Sequence, residues 1–276
     1  MSARLFLRIT GIGAWVPGAP DWQHLRGILR GESAPVDDAP SRPAGAMLPA
    51  AERRRAPDGV RLAADVAAQA TAMAGVDPAT VPCVFASTHG EIGITDYVCE
   101  TLARAPLELS PTRFHNSVLN APAGYWTIAT GCREASSALT AFDASFAAGL
   151  LEAASQCSAD DRAVLLVAFD VEASGALASV AASVGLLACA LVLAPSAGAN
   201  SIVTIDWELA RERVAAPAPR SAAARSLAGN AMSGALPLLE AIATADRGGA
   251  PLALPLAPSL ALRLTAHALV ATEARS

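Results

Sequence analysis

The sequence predicts an α/β fold, a mixed β-sheet with helices on both faces. Three observations predict it. Short apolar runs recur without charge, residues 163–169 (AVLLVAF) and 185–194 most clearly, and strands lacking polar alternation are those buried on both faces. Segments with helical spacing of apolar residues separate these runs. No internal repeat or linker divides the 276 residues, a length sufficient for one large core.

Residues 5–16 (LFLRITGIGAWV) read as a buried strand entering a glycine-bearing bend, ended by Pro17, Gly18 and Pro20. Residues 22–30 form a short amphipathic helix, and the 31–56 stretch, rich in Pro, Ala, Ser and Gly, is a loop. A helix over 61–73 turns Leu62, Val66 and Met73 inward, and Gly75 supplies its left-handed terminus. A strand at 81–87, a helix at 92–103 and a proline-marked loop to Pro111 follow.

The 112–154 stretch then organises the chain. Its first helix starts at Asn120 as N-cap with Pro122 in the first turn. Gly131 breaks it. The second runs from about Ser136 to Ala154, with Leu139, Phe142, Phe146 and Leu150 on one face. After the 163–169 and 185–194 strands, residues 201–209 are expected to pair with the latter as a hairpin. Residues 215–229 read as a loop, 236–244 as a helix and 259–267 (SLALRLTAH) as an alternating edge strand.

Composition narrows function. Charged residues are 16% and hydrophobic residues 53%, which suits a chain with a large apolar interface. Lysine is absent, so a P-loop lysine and a Schiff-base lysine are excluded. Arginines are scattered apart from Arg53, Arg54 and Arg55, which argues against nucleic-acid binding. The five cysteines form no C-x-x-C pair, and Cys83 and Cys189 lie in apolar runs as buried thiols. No signal peptide is read, and the longest apolar run is too short to span a bilayer, so a cytoplasmic protein is expected.

His24, His89, His115 and His267 are too dispersed for a metal site, and no metal or cofactor is expected. G-x-S-x-G is absent, and Gly11-Ile12-Gly13 lacks the third glycine of a dinucleotide turn. Two polar clusters remain. Ser87-Thr88-His89-Gly90-Glu91 either caps the following helix or lines a site. His115-Asn116 with Asn120 either caps and hydrogen-bonds or serves a site.

Several segments together resemble the N-terminal half of a β-ketoacyl synthase, a thiolase-fold enzyme. Ile9-Thr10-Gly11-Ile12-Gly13 with Pro17-Gly18 is similar to the family's opening strand and turn, and Gly31-Glu32 to the close of its first helix. Asn120 with Ala123-Gly124 resembles the helix before the nucleophile, and residues 163–169 with Asp170-Val171-Glu172 the strand after the nucleophile helix. The resemblance covers about residues 5–195. It implies a single β-ketoacyl synthase-like domain over 1–276: the ketosynthase N-terminal half to about residue 200, then a short extension to 276 in place of a full second half.

The departures are as informative. The family's T-A-C segment, where a helix N-terminus favours the thiolate, matches Thr140-Ala141-Phe142-Asp143-Ala144-Ser145, so Phe142 stands where the nucleophilic cysteine would be. Cys132 is ten residues earlier. The motifs that carry the family's two catalytic histidines do not occur. This pattern is similar to chain length factors, inactive homologues that pair with an active ketosynthase. The HN-x₃-NAPAG and FDASFAAGLLEA segments resemble the short form that accompanies aryl polyene synthesis.

The resemblance implies a pseudoenzyme without catalytic residues in a heterodimer with a ketosynthase, meeting an acyl carrier protein through the complex. Phe142, Asp143 and Phe146 are then the acyl-tunnel or vacated-nucleophile positions, and His115, Asn116 and Asn120 an interface or polar cluster. Phe142 is expected to face a buried cavity. The alternative is an acyltransferase or hydrolase using Ser87 or Ser145 with His89 or His115.

Overall fold

The computed structural model describes residues 5–195 and 201–269. Its centre is an eight-stranded mixed sheet in the order β3-β2-β4-β5-β1-β6-β8-β7. The strands are β1 (Leu5–Trp15), β2 (Cys83–Ala86), β3 (Ser136–Leu139), β4 (Val164–Asp170), β5 (Leu187–Ala194), β6 (Val203–Ala210), β7 (Leu252–Ala257) and β8 (Leu260–Ala268). β3, β2 and β4 are mutually parallel. The pairs from β4 through β5, β1, β6 and β8 to β7 are antiparallel.

The helices are α1 (Trp22–Leu29), α2 (Ala50–Arg55), α3 (Asp58–Ala74), α4 (Ile92–Arg104), α5 (Pro111–Asn116), α6 (Ala121–Thr130), α7 (Ser145–Asp160), α8 (Ala222–Ser226) and α9 (Leu236–Ala243). Every residue of β4 and β5 is buried, as the apolar runs 164–169 and 187–194 require; the one charged residue, Asp170, ends β4. On β4, Val164, Leu166 and Ala168 enter a core shared with α1, α7 and α9, while Leu165, Val167 and Phe169 enter one shared with α3 and α6. Full burial of each Val or Leu contributes about 1.5–3 kcal/mol, so these two strands anchor both layers.

The glycines of the ITGIG segment have a packing cause. A Cβ on Gly11 or Gly13 would lie 2.0 Å from the carbonyl oxygens of Ala70 and Val66 on α3, so only glycine lets α3 lie directly on β1. Ala14 N–H donates to Gln69 Oε1 at 3.0 Å and Ile12 N–H to Met73 Sδ at 3.4 Å. Met73, expected inward, is 41% exposed and uses its sulfur at the helix edge.

Several other expectations need correction. The predicted second central helix is two elements: residues 136–139 pair in parallel with β2 as β3, and α7 begins only at Ser145. Leu139 therefore shares no helical face with Phe146 and Leu150. β6 forms no hairpin with β5, because β1 lies between them and pairs with both. β8 is an interior strand; the edge is β7, which tolerates Pro255 because one side needs no ladder donor. The two predicted loops contain short helices, α2 and α8. Asn120 occupies the N-cap of α6 without a side-chain capping bond. No helix among the described residues is long and apolar enough to cross a membrane.

Candidate functional site

Parallel strands send their following loops to one end of the sheet, where α/β proteins place ligands. Here the loops after β2, β3 and β4 meet at that end, and Asp170, the last residue of β4, ties two of them together. It is fully buried. Its carboxylate accepts from Ser87 Oγ at 2.7 Å, Thr88 N–H at 2.8 Å and His89 N–H at 3.1 Å, and Ser87 Oγ accepts from Gly90 N–H at 2.8 Å. Burial holds the Asp170 carboxyl above the usual range, against these donors, which favour the ionised form. The 87–90 segment thus folds around a buried acid; no Ser87 or Thr88 side chain caps α4. Asn230, also buried, turns its amide toward the carbonyls of Asp170, Val184 and Gly185.

The loop after β3 carries Phe142. Its φ is 49°, in the left-handed region. For a bulky non-glycine residue this costs about 1–3 kcal/mol and persists only where surrounding bonds impose it. Ser145, at the head of α7, supplies two such bonds: its Oγ accepts from Ala141 N–H at 2.9 Å and donates to the Phe142 carbonyl at 2.7 Å. The turn projects Phe142 outward, 81% exposed, while Phe146 one turn on is 2% exposed. In this chain by itself Phe142 does not face a buried cavity. Helical periodicity missed this because the residue precedes the helix. Asp143 is exposed beside it.

The second predicted cluster lies apart. Asn116 is buried; its amide donates to the Arg55 carbonyl at 3.0 Å and its oxygen accepts from Tyr125 Oη at 3.0 Å. His115 is exposed against the Tyr125 ring, and Asn120 is exposed. These contacts fasten α5 to α2 and α6, and none reaches the Phe142 turn. The serine–histidine alternative finds no geometry either. Ser87 Oγ donates to Asp170 and Ser145 Oγ to Phe142, and no described histidine hydrogen-bonds either serine. Burial pushes the Cys83 and Cys157 thiols up to about 11 and Cys189 up to about 12, so none is a poised nucleophile. Among the described residues no His, Cys, Asp and Glu cluster could hold a metal ion.

Glu91 plays a role that its place in the 87–91 cluster does not reveal. Its Oε1 accepts from Gly59 N–H at 2.7 Å, at the start of α3, where Pro57 offers no side-chain cap. It borders an open cleft of about 760 Å³ shared with Arg61, Glu172 and Ser174. Burial pushes its carboxyl up to about 7, opposed by the Gly59 N–H and reinforced by Asp58 and Asp170. A carboxyl raised in the folded state contributes stability that is present below its unfolded value and lost as pH rises through about 7. Glu91→Gln should therefore match the parent near pH 4.5 and exceed it by about 1–3 kcal/mol at pH 8. Urea unfolding at both values checks this; an equal difference at the two pH values would contradict it.

A chain of the ketosynthase (ApeO) in complex with its chain length factor (ApeC) from Xenorhabdus doucetiae is 25% identical, with 95% of this chain and 99% of that chain covered and a TM-score of 0.68. A chain of AntDE:AntF, a type II PKS acyl-carrier protein in complex with its ketosynthase bound to the hexaketide, is 13% identical, covering 97% and 100% at a TM-score of 0.74. The ishigamide ketosynthase/chain length factor matches at 13% identity, 96% and 99% coverage and a TM-score of 0.67. The last two likenesses show the fold alone. No curated protein sequence matches the chain. The family described as "Beta-ketoacyl synthase, N-terminal domain" matches residues 28–250, most of the chain. That match, over more than half of the sequence, shows that this chain belongs to the β-ketoacyl synthase N-terminal domain family.

Proposed function

We propose that the chain is a non-catalytic, chain length factor-like subunit. It pairs with an active ketosynthase, stabilises it and shapes the acyl tunnel during polyketide synthesis of the aryl polyene type in the cytoplasm. The observation that carries this reading is Phe142. It occupies the turn at the head of α7, where the family resemblance puts a nucleophile, and its ring cannot be acylated. Its strained, outward presentation suits a contact made with another surface. Exposed Leu107, Phe114 and Ile128 add apolar area of the kind that permanent partners bury. The acyl carrier protein would dock on the complex, delivering its thioester to the partner's cysteine. Phe142, Asp143 and Phe146 would border the tunnel, and His115, Asn116 and Asn120 would support the interface.

Co-expression with a full-length ketosynthase tests this. The two chains should co-purify, and the chain expressed alone should aggregate or self-associate. After incubation with an acyl-carrier-protein thioester, intact mass should show the acyl adduct on the ketosynthase only. A stable adduct on this chain, or a well-behaved monomer that ignores the ketosynthase, would overturn the reading.

A further inference from the structure

The Phe142 turn is held from outside its own loop. Thr88 is the residue that reaches it. Its N–H is fixed by Asp170 Oδ2 at 2.8 Å, and its carbonyl accepts from Thr140 Oγ1 at 3.0 Å. Its hydroxyl lies 3.4 Å from the Phe142 carbonyl and 3.4 Å from that of Ala231, and its single proton serves one of them at a time. Thr88 therefore grips the turn on both sides of Ala141, through Thr140 and Phe142. Asp170 accepts from Ser87 and His89 as well, so the neighbours of Thr88 are fixed on the same acid. A left-handed phenylalanine has no local preference that would maintain it; the direction of its ring depends on these bonds and on Ser145.

We propose that Thr88, anchored by Asp170, is a positioning residue that fixes the direction in which Phe142 leaves the chain, and through it the length of acyl chain that the complex accepts. The part concerning acyl length rests on the function proposed above. Thr88 acts through the Phe142 backbone, which its hydroxyl reaches. Thr88→Val keeps the shape and the backbone bonds and removes only the hydroxyl. Thr88→Ser restores the hydroxyl.

The experiment is a double-mutant cycle in the co-purified complex, reading the ratio of longest to shorter products. Thr88→Val should change that ratio about three-fold or more, and Thr88→Ser should return it to the parental value. In a Phe142→Ala background, Thr88→Val should have no further effect, because residues acting as one unit are not additive. A Thr88→Val effect of equal size with and without Phe142 would overturn the positioning role, since a merely structural threonine behaves that way. If Phe142→Ala alters product length and Thr88→Val does not, the positioning role fails while the proposed function stands. If Phe142→Ala itself leaves product length unchanged, the acyl-length part is overturned at its source.

Discussion

Asp170→Ala should lower folding stability by about 3–5 kcal/mol. The substitution leaves Ser87 Oγ and the N–H groups of Thr88 and His89 without their acceptor. Each buried donor left unpaired costs about 1–3 kcal/mol, and water entering the small cavity would recover part of that. Asp170→Asn should lose less, since its amide oxygen still accepts while its NH₂ faces a donor. Chemical denaturation of the ketosynthase complex, or of any soluble fraction of the chain, reads the difference. A loss below about 1 kcal/mol for Asp170→Ala would mean that the three bonds do not hold the loop.

The second large effect separates two phenylalanines four residues apart. Phe146→Ala should cost about 3–5 kcal/mol, the range for truncating a buried aromatic, because Phe146 is 2% exposed in the core shared by α1, α7 and α9. Phe142→Ala should stay within about 1 kcal/mol in the isolated chain, as surface substitutions do, because its ring is 81% exposed. If the two losses were equal, Phe142 would be packed into the chain, contrary to its exposed placement. Apolar spacing assigns both residues to one stripe. The distinction arises from the left-handed turn between β3 and α7, which no periodicity encodes.

The same contrast explains what was legible in the chain. β4 and β5 could be read because strands buried on both faces lack polar alternation, and only Asp170, at the very end of β4, carries a charge. The end of α3 could be read from Gly75, which is left-handed at φ 68°. β3 could not: Ser136–Leu139 is four residues long and contains no β-branched or aromatic side chain. Its identity as a strand comes from pairing with β2. The β5–β6 relation failed for a different reason. Adjacent strands favour a hairpin, but β1 offers both of them an unpaired edge, and sequence distance does not reveal that competition. The resemblance singled out Phe142, but not its exposed, left-handed turn. The Asp170 hub was hidden because a lone acid at the end of an apolar run looks like the start of a loop.

The central position of β1 sets the order in which the protein can assemble on the ribosome. β1 is translated first among the strands, yet its partners are β5 and β6, which begin at residues 187 and 203. At about 5–20 residues per second, on the order of ten seconds or more separates the emergence of β1 from that of β5. During that interval an apolar strand has α3 to shield one face and no ladder on either edge. The middle of the sheet closes only after most of the chain has been made. A nascent chain arrested before β5 should therefore bind hydrophobic-surface chaperones, and release should follow once β6 has cleared the exit tunnel.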